Sequence, residues 1–220
     1  MSLTKVVGSR IEPVLAALLF AVSYMVGIFA LTMPQLAAPD ATWVAFWADR
    51  SHRITEIVAA YALLVSGAAL VWFATVLGRR VGSRLLVPSA WAAAVMLWVG
   101  GVLLSAVPAA VSIAGAPTFS AETSRITLDM GAAAVSMYAA PATAFLLAAS
   151  AVAARRSRSL PTWLVVAAWV VAVLILGIGT AFFVLPLMPL WAIAAGAVLA
   201  SRRPVVVERA ARQAPVPSQA

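Results

Sequence analysis

Six long apolar runs alternate with short polar connections along the chain: Pro13 to Met33, Thr55 to Gly78, Leu85 to Val107, Ile126 to Ala154, Thr162 to Val184 and Leu187 to Ser201. Crossing about 30 Å of hydrocarbon takes roughly 20 helical residues, which the first five runs supply and the sixth does not quite reach. None alternates with a period of two, and a backbone in hydrocarbon must satisfy its own polar groups, so helices rather than barrel strands are expected. The pattern predicts an all-α polytopic bundle of six transmembrane helices within residues 1–201. The remaining segment, 202–220, is rich in Pro, Gln and Arg, has little to bury, and is expected to be a disordered basic tail in the cytoplasm.

Between the first two runs, Pro34 to Asp40 breaks the pattern, and Asp40 is placed to cap a short helix carrying Trp43, Phe46 and Trp47 on one face. Aromatic rings of this kind favour the membrane interface, so a helix lying in the first outer loop is expected, serving as an anchor. The uncharged turn from Val184 to Pro189 is expected in the same interface. In run four, Pro141 removes a backbone donor and is expected to kink the helix and free the Met137 carbonyl.

Charge fixes the orientation. Twelve of the fifteen Lys and Arg fall on alternate connections: Lys5 and Arg10; Arg79, Arg80 and Arg84; Arg155, Arg156 and Arg158; Arg202, Arg203, Arg209 and Arg212. The other connections carry Arg50, Arg53 and Arg125 among most of the acids. Basic residues gather on the cytoplasmic side, which places both termini inside. Apolar residues make up 64% of the 220 and charged residues 10%, so the chain falls outside the soluble class. The net charge of +8 is split among short clusters rather than gathered into one basic face, which argues against nucleic-acid binding. The first run is longer than a signal-peptide core of about 7–15 residues and reads as an uncleaved span. Absence of cysteine excludes disulfides and thiolate chemistry.

Candidate chemistry is sparse. Glu56 and Asp129 are the acids expected inside helix ends, each with an arginine one turn earlier, Arg53 and Arg125, available for pairing on the same face. Ionisable groups at membrane depth are functional candidates by default. Small residues follow both acids along one face: Ala59, Ala60 and Gly67 beside Leu63, and Ala132, Ala133, Ser136, Ala140 and Thr143. Both faces are expected to meet other helices. Around the Pro141 kink, Ser136, Tyr138 and Thr143 could form a small polar pocket, with Gly177, Gly179 and Thr180 as a facing wall. The simpler expectation for both acids is stabilisation of helix N-termini. His52, the lone histidine, reads as solvated; it is a poor metal site and cannot form a haem-ligating pair. No cofactor is expected, and no catalytic or phosphate-loop motif occurs, leaving an enzyme the least supported class.

Some landmarks recur. Arg53-Ile54-Thr55 and Arg125-Ile126-Thr127 open runs two and four, paired arginines close them, and Pro88 with Trp91 opens run three as Pro161 with Trp163 opens run five. A parallel duplication and repeated use of the same boundary chemistry explain this equally.

Asp49-Arg50-Ser51-His52-Arg53, the Arg79-Arg80 end, Leu160-Pro161-Thr162-Trp163-Leu164 and Leu187-Met188-Pro189-Leu190-Trp191 resemble a domain-of-unknown-function family of bacterial six-span integral membrane proteins. The resemblance implies a six-helix bundle and brings no activity or site residues. The expected role is that of a multi-pass inner-membrane protein in the lipid bilayer that binds a lipid, a membrane-protein partner or a second copy of itself. A small-solute or proton-coupled carrier using Glu56 and Asp129 is the alternative.

Overall fold

The computed structural model describes residues 3–116, 119–178 and 186–201, with side chains from residue 11 onward. Among the described residues the chain is all-helical. The helices are α1 (Leu3–Phe29), α2 (Asp40–Ala48), α3 (Arg50–Val81), α4 (Leu86–Ser112), α5 (Ala121–Ala133), α6 (Ala140–Ser157), α7 (Thr162–Ile178) and α8 (Leu187–Ser201). A wide π turn over Ala134–Ala139 joins α5 to α6.

Four stretches are long and apolar enough to cross a membrane: Ile11–Phe29, Arg50–Val81, Leu86–Ser112 and the continuous Ala121–Ser157. α7 and α8, at 17 and 15 residues, are apolar but shorter, about 26 and 22 Å at 1.5 Å per residue. The expectation of six spans is thus met in four. The predicted extension of run five to Val184, the uncharged outer turn up to Leu185, and the basic tail lie outside the described residues.

Side-chain contacts sort the helix ends. At one end, Arg79 pairs with Glu12 at 3.9 Å, Trp72 donates to the same carboxylate, and Arg80 donates to the Leu199 carbonyl, joining the end of α3 to α1 and α8. The α3–α4 turn passes through Gly82 in the left-handed region (φ 71°), and Arg158 closes α6 in a similar conformation (φ 52°). At the other end, the segment after α1 meets the start of α3, and α2 meets α3 and α5.

The core is built from small residues. Ala16, Ala17, Ala69, Ala74, Ala90, Ala93, Ala144, Ala151, Ala168, Ala192 and Ala195 are buried beside Phe20, Leu70, Phe73, Leu147 and Trp191. In lipid, helices gain little from the hydrophobic effect and associate by close backbone approach, which alanine and glycine permit. Gly100 and Gly131 bring α4 and α5 together: a methyl on Gly100 would lie 2.6 Å from Val135, and one on Gly131 would lie 2.7 Å from Leu104. Trp191 pins α8 to α7 by donating to the Leu164 carbonyl at 3.0 Å.

The π turn answers Pro141. A proline ring clashes with the carbonyl four residues back, here Met137, and an α-helical turn at that point would be strained. The chain widens instead, and the Ala140 N–H donates to Val135, five residues back. The disturbance predicted at Pro141 is therefore a wide turn placed just before it.

Helix α2 also differs from expectation. Its first residue is Asp40, and the cap position is Pro39, which offers no side-chain bond. Trp43, Phe46 and Trp47 do share one face, but that face packs onto Val107, Ala121, Met33 and Leu128 rather than projecting outward. The rings bury their apolar surface against the end of α4 and the start of α5.

Candidate functional site

Glu56 is the most deeply buried ionisable side chain among the described residues, with no exposed surface in the first third of α3. Its Oε1 accepts from the Thr32 backbone N–H at 2.9 Å, and the Thr32 hydroxyl lies at 3.5 Å. The chain has left α1 at Phe29, so the Thr32 N–H has no helical carbonyl to use, and the carboxylate supplies one. Oε2 has no partner among the described residues. Along α3, Ala59, Ala60, Leu63 and Gly67 are buried with Glu56, as the sequence stripe predicts.

Arg53 does not pair with Glu56. Its guanidinium donates to the Trp47 carbonyl, to Ala48 O at 2.9 Å and to the Ser112 hydroxyl at 3.0 Å. The first two are among the last carbonyls of α2, which have no helical N–H to satisfy them. Arg125 likewise does not pair with Asp129. It meets the Asp40 carboxylate at 2.8 Å, donates to Ala38 O, and lies 5.9 Å from the centre of the Trp43 ring. One arginine thus holds each end of α2: Arg125 from α5 at its start, Arg53 from α3 at its finish. Both predicted pairs place Arg before the acid, the weaker order on a helix; the last carbonyls of α2 take Arg53, and the Asp40 carboxylate with the Ala38 carbonyl takes Arg125.

His52 is half-buried rather than solvated. Its ring stacks on Phe46 at 4.3 Å and 12°, and its Nδ1 is buried without a partner among the described residues. It stands one helical turn before Glu56, a placement that could have been read from the sequence. Asp49 caps α3 by accepting from the Ser51 N–H at 2.7 Å and the Ser51 hydroxyl at 2.8 Å, bonds that hold its carboxyl below the usual carboxylate range. Its contribution is full above the ordinary carboxylate pKa and is lost as pH falls through the lowered value.

The second half of the predicted cluster does not assemble. Asp129 and Ala132 are exposed, while the face turned inward is Ser124 and Gly131, continuing as Ala134 and Val135. Ser136 and Thr143 spend their hydroxyls on their own helix, donating to Ala132 O at 2.7 Å and Ala139 O at 2.8 Å. Tyr138 is 62% exposed. Of the facing wall, Gly177 has nothing within 4 Å of where its side chain would start, and Gly179 and Thr180 lie outside the described residues.

Two groups therefore assemble at one end of the bundle: Glu56 with Thr32, and around α2 the side chains of His52, Arg53, Arg125 and Asp40. Arg125→Leu is expected to raise hydrogen exchange across 38–48 at least tenfold, with α3 and α4 unchanged, because Asp40 and the Ala38 carbonyl lose their donor. Asp129→Asn is expected to shift the unfolding free energy by less than about 0.5 kcal/mol, as for an ordinary surface change. Among the described residues no three His, Asp or Glu side chains converge as a metal site.

Cavities elsewhere are unequal. At mid-bundle, Tyr24, Leu97, Val135, Thr143 and Met188 enclose about 20 Å³, room for one water. A groove of about 530 Å³ opens on the periphery between the α3–α4 turn and the faces of α6 and α7.

Fold and site together define a multi-pass α-helical membrane protein. Comparison with protein-family models, curated proteins and solved structures yields no match.

Proposed function

We propose that the chain is a six-span inner-membrane protein with both termini in the cytoplasm and that its role is binding or assembly, with a lipid or another membrane protein as its ligand. The observation that carries this reading is a peripheral groove of about 530 Å³, within the size range of ligand sites, against a mid-bundle cavity among the described residues with room for about one water. The sorting of arginines to one end of the bundle supports the orientation, and the boundary residues that resemble a bacterial six-span family support the compartment. In this reading α7 and α8 complete the spans, and α2 caps the outer end.

The test is the intact native mass of the protein extracted with its own lipids, with the Glu56→Gln, Asp129→Asn variant beside it. A retained lipid or protein partner is expected. A bare particle would remove the reading. The orphaned Glu56 Oε2 favours one alternative, a proton-coupled carrier. In sealed vesicles, proton flux present in the wild type and absent from Glu56→Gln would establish it.

Orientation has its own test. Single cysteines at Ser51, Thr118, Ser83 and Ser157 are expected to react with an impermeant maleimide from outside only at the first two. Labelling at Ser83 from outside would overturn the six-span arrangement.

A further inference from the structure

The peripheral groove has a definite chemistry. It runs along one stripe of α6, in which Phe145, Ala149, Val152 and Arg156 recur at helical spacing, and it faces Arg84 and Trp169 across the gap. From Arg156 to Phe145 the stripe covers about 16 Å of helix, roughly one leaflet of hydrocarbon. Its long wall is apolar and open: Phe145 is 60% exposed and Trp169 is 44% exposed. Small residues, Ala149 and Ala153 among them, also line it. At its basic end Arg84 and Arg156 line the groove with Ser83 beside the left-handed turn at Gly82.

Neither arginine has a carboxylate partner among the described residues; the ion pairs at hand are Arg79 with Glu12 and Arg125 with Asp40. The N-terminus of α4 opens beside them with Leu85 at its cap position and no side-chain bond to its first amides. The amide donors at this helix start, those of Leu86 and Val87 ahead of Pro88, add to the field that two arginines set up for an anion. An apolar trough one leaflet long that ends in paired positive charge at the basic end of a membrane bundle matches one occupant in shape and charge.

The geometry points to a binding site for an anionic phospholipid in the cytoplasmic leaflet, its phosphate between Arg84 and Arg156 and an acyl chain along Val152, Phe145 and Trp169. This rests on the binding reading above and names its ligand class and its site. A zwitterionic lipid fills the trough equally well but brings a positive choline against two arginines, so the site should select by headgroup rather than by chain.

The experiment is native mass spectrometry of the full chain in detergent with dioleoyl phosphatidylglycerol and dioleoyl phosphatidylcholine, which share their acyl chains. The wild type is expected to retain the anionic lipid at least tenfold more strongly. Arg84→Gln with Arg156→Gln should bring the two lipids to within twofold, and Arg84→Lys with Arg156→Lys should keep the preference. Ala149→Trp fills the trough with both charges intact and should also abolish it; thermal unfolding of each variant at the wild-type temperature confirms that the bundle is folded.

An anionic preference that survives both the double Gln variant and Ala149→Trp would overturn the site. So would displacement of the lipid by millimolar glycerol phosphate, which would mark an anion site with no use for the chain. Lipid retained by the wild type without headgroup preference would overturn the site and leave the binding reading standing. No retained lipid or partner at all would remove both.

Discussion

Glu56→Ala is expected to lower the unfolding free energy by about 2–4 kcal/mol, while Glu56→Gln stays within about 1 kcal/mol of the wild type. The asymmetry follows from what the carboxylate does. Oε1 accepts from the Thr32 N–H at 2.9 Å, in a stretch where the chain has left α1 and no helical carbonyl is available. Alanine leaves that donor buried and unpaired, about 1–3 kcal/mol, and adds a cavity where a wholly buried side chain stood. Glutamine keeps the carbonyl oxygen for Thr32 and places an amide where Oε2 has no partner. Thr32→Ala retains the backbone donor and should cost little, since its hydroxyl lies at 3.5 Å, the edge of hydrogen bonding.

The measurement is reversible unfolding in detergent, followed by circular dichroism, for the three variants side by side. Equal losses in Glu56→Ala and Glu56→Gln would mean that the negative charge itself holds the site together. In that case the carboxylate would answer to His52 or to a bound cation rather than to Thr32.

The same residue shows what was legible in the sequence. A single acid followed by Ala59, Ala60, Leu63 and Gly67 at helical spacing could only face other helices, because an acid on the lipid face would be unpaired in hydrocarbon, and all five are buried. The identical argument fails for Asp129. Its following residues are mostly alanines, which suit a lipid face and a helix contact alike, and the wide turn over Ala134–Ala139 shifts the face presented beyond it. The discriminating residue was Gly131, whose close approach to Leu104 fixes the inward side. Glycine in a membrane helix carries more orientational information than alanine, since it alone admits a neighbour where a side chain would stand.

The arginines were misread for a different reason. Spacing on one helix suggested local pairs, yet Arg53 leans toward its own N-terminus, as helical side chains do, and so reaches α2. Which partner wins depends on unsatisfied carbonyls in a separate segment, and no periodicity within one helix encodes that. The two matching Arg-Ile-Thr openings do converge on a common task, since Arg53 and Arg125 each hold one end of α2. The aromatic face of α2 was correctly grouped, but its destination was decided by Val107 and Ala121 at distant points in the chain.

Gly196→Leu is expected to cost more than 3 kcal/mol and to free α8 from the bundle, with Gly196→Ala costing about 1–3 kcal/mol. A methyl on Gly196 would lie 2.7 Å from the Pro13 carbonyl oxygen and 3.0 Å from Ala17 Cβ. The obstacle is backbone, so no rotamer change relieves it, and α1 and α8 must move apart along a contact built from alanine and glycine. Gly67→Ala is the instructive contrast. There the methyl would meet Trp98 Nε1, on a side chain that can swing away at the loss of its bond to Leu64 O and its edge contact with Trp91, about 1–2 kcal/mol together. Gly177→Ala, with nothing within 4 Å, should be neutral or slightly stabilising.

Unfolding of the variants together with limited proteolysis of α8 separates the cases. Loss of α8 protection in Gly196→Leu alone would mean that this 15-residue helix is held in the bundle by its seat on α1. Protection unchanged in Gly196→Leu would mean that Trp191 on α7 suffices to hold it.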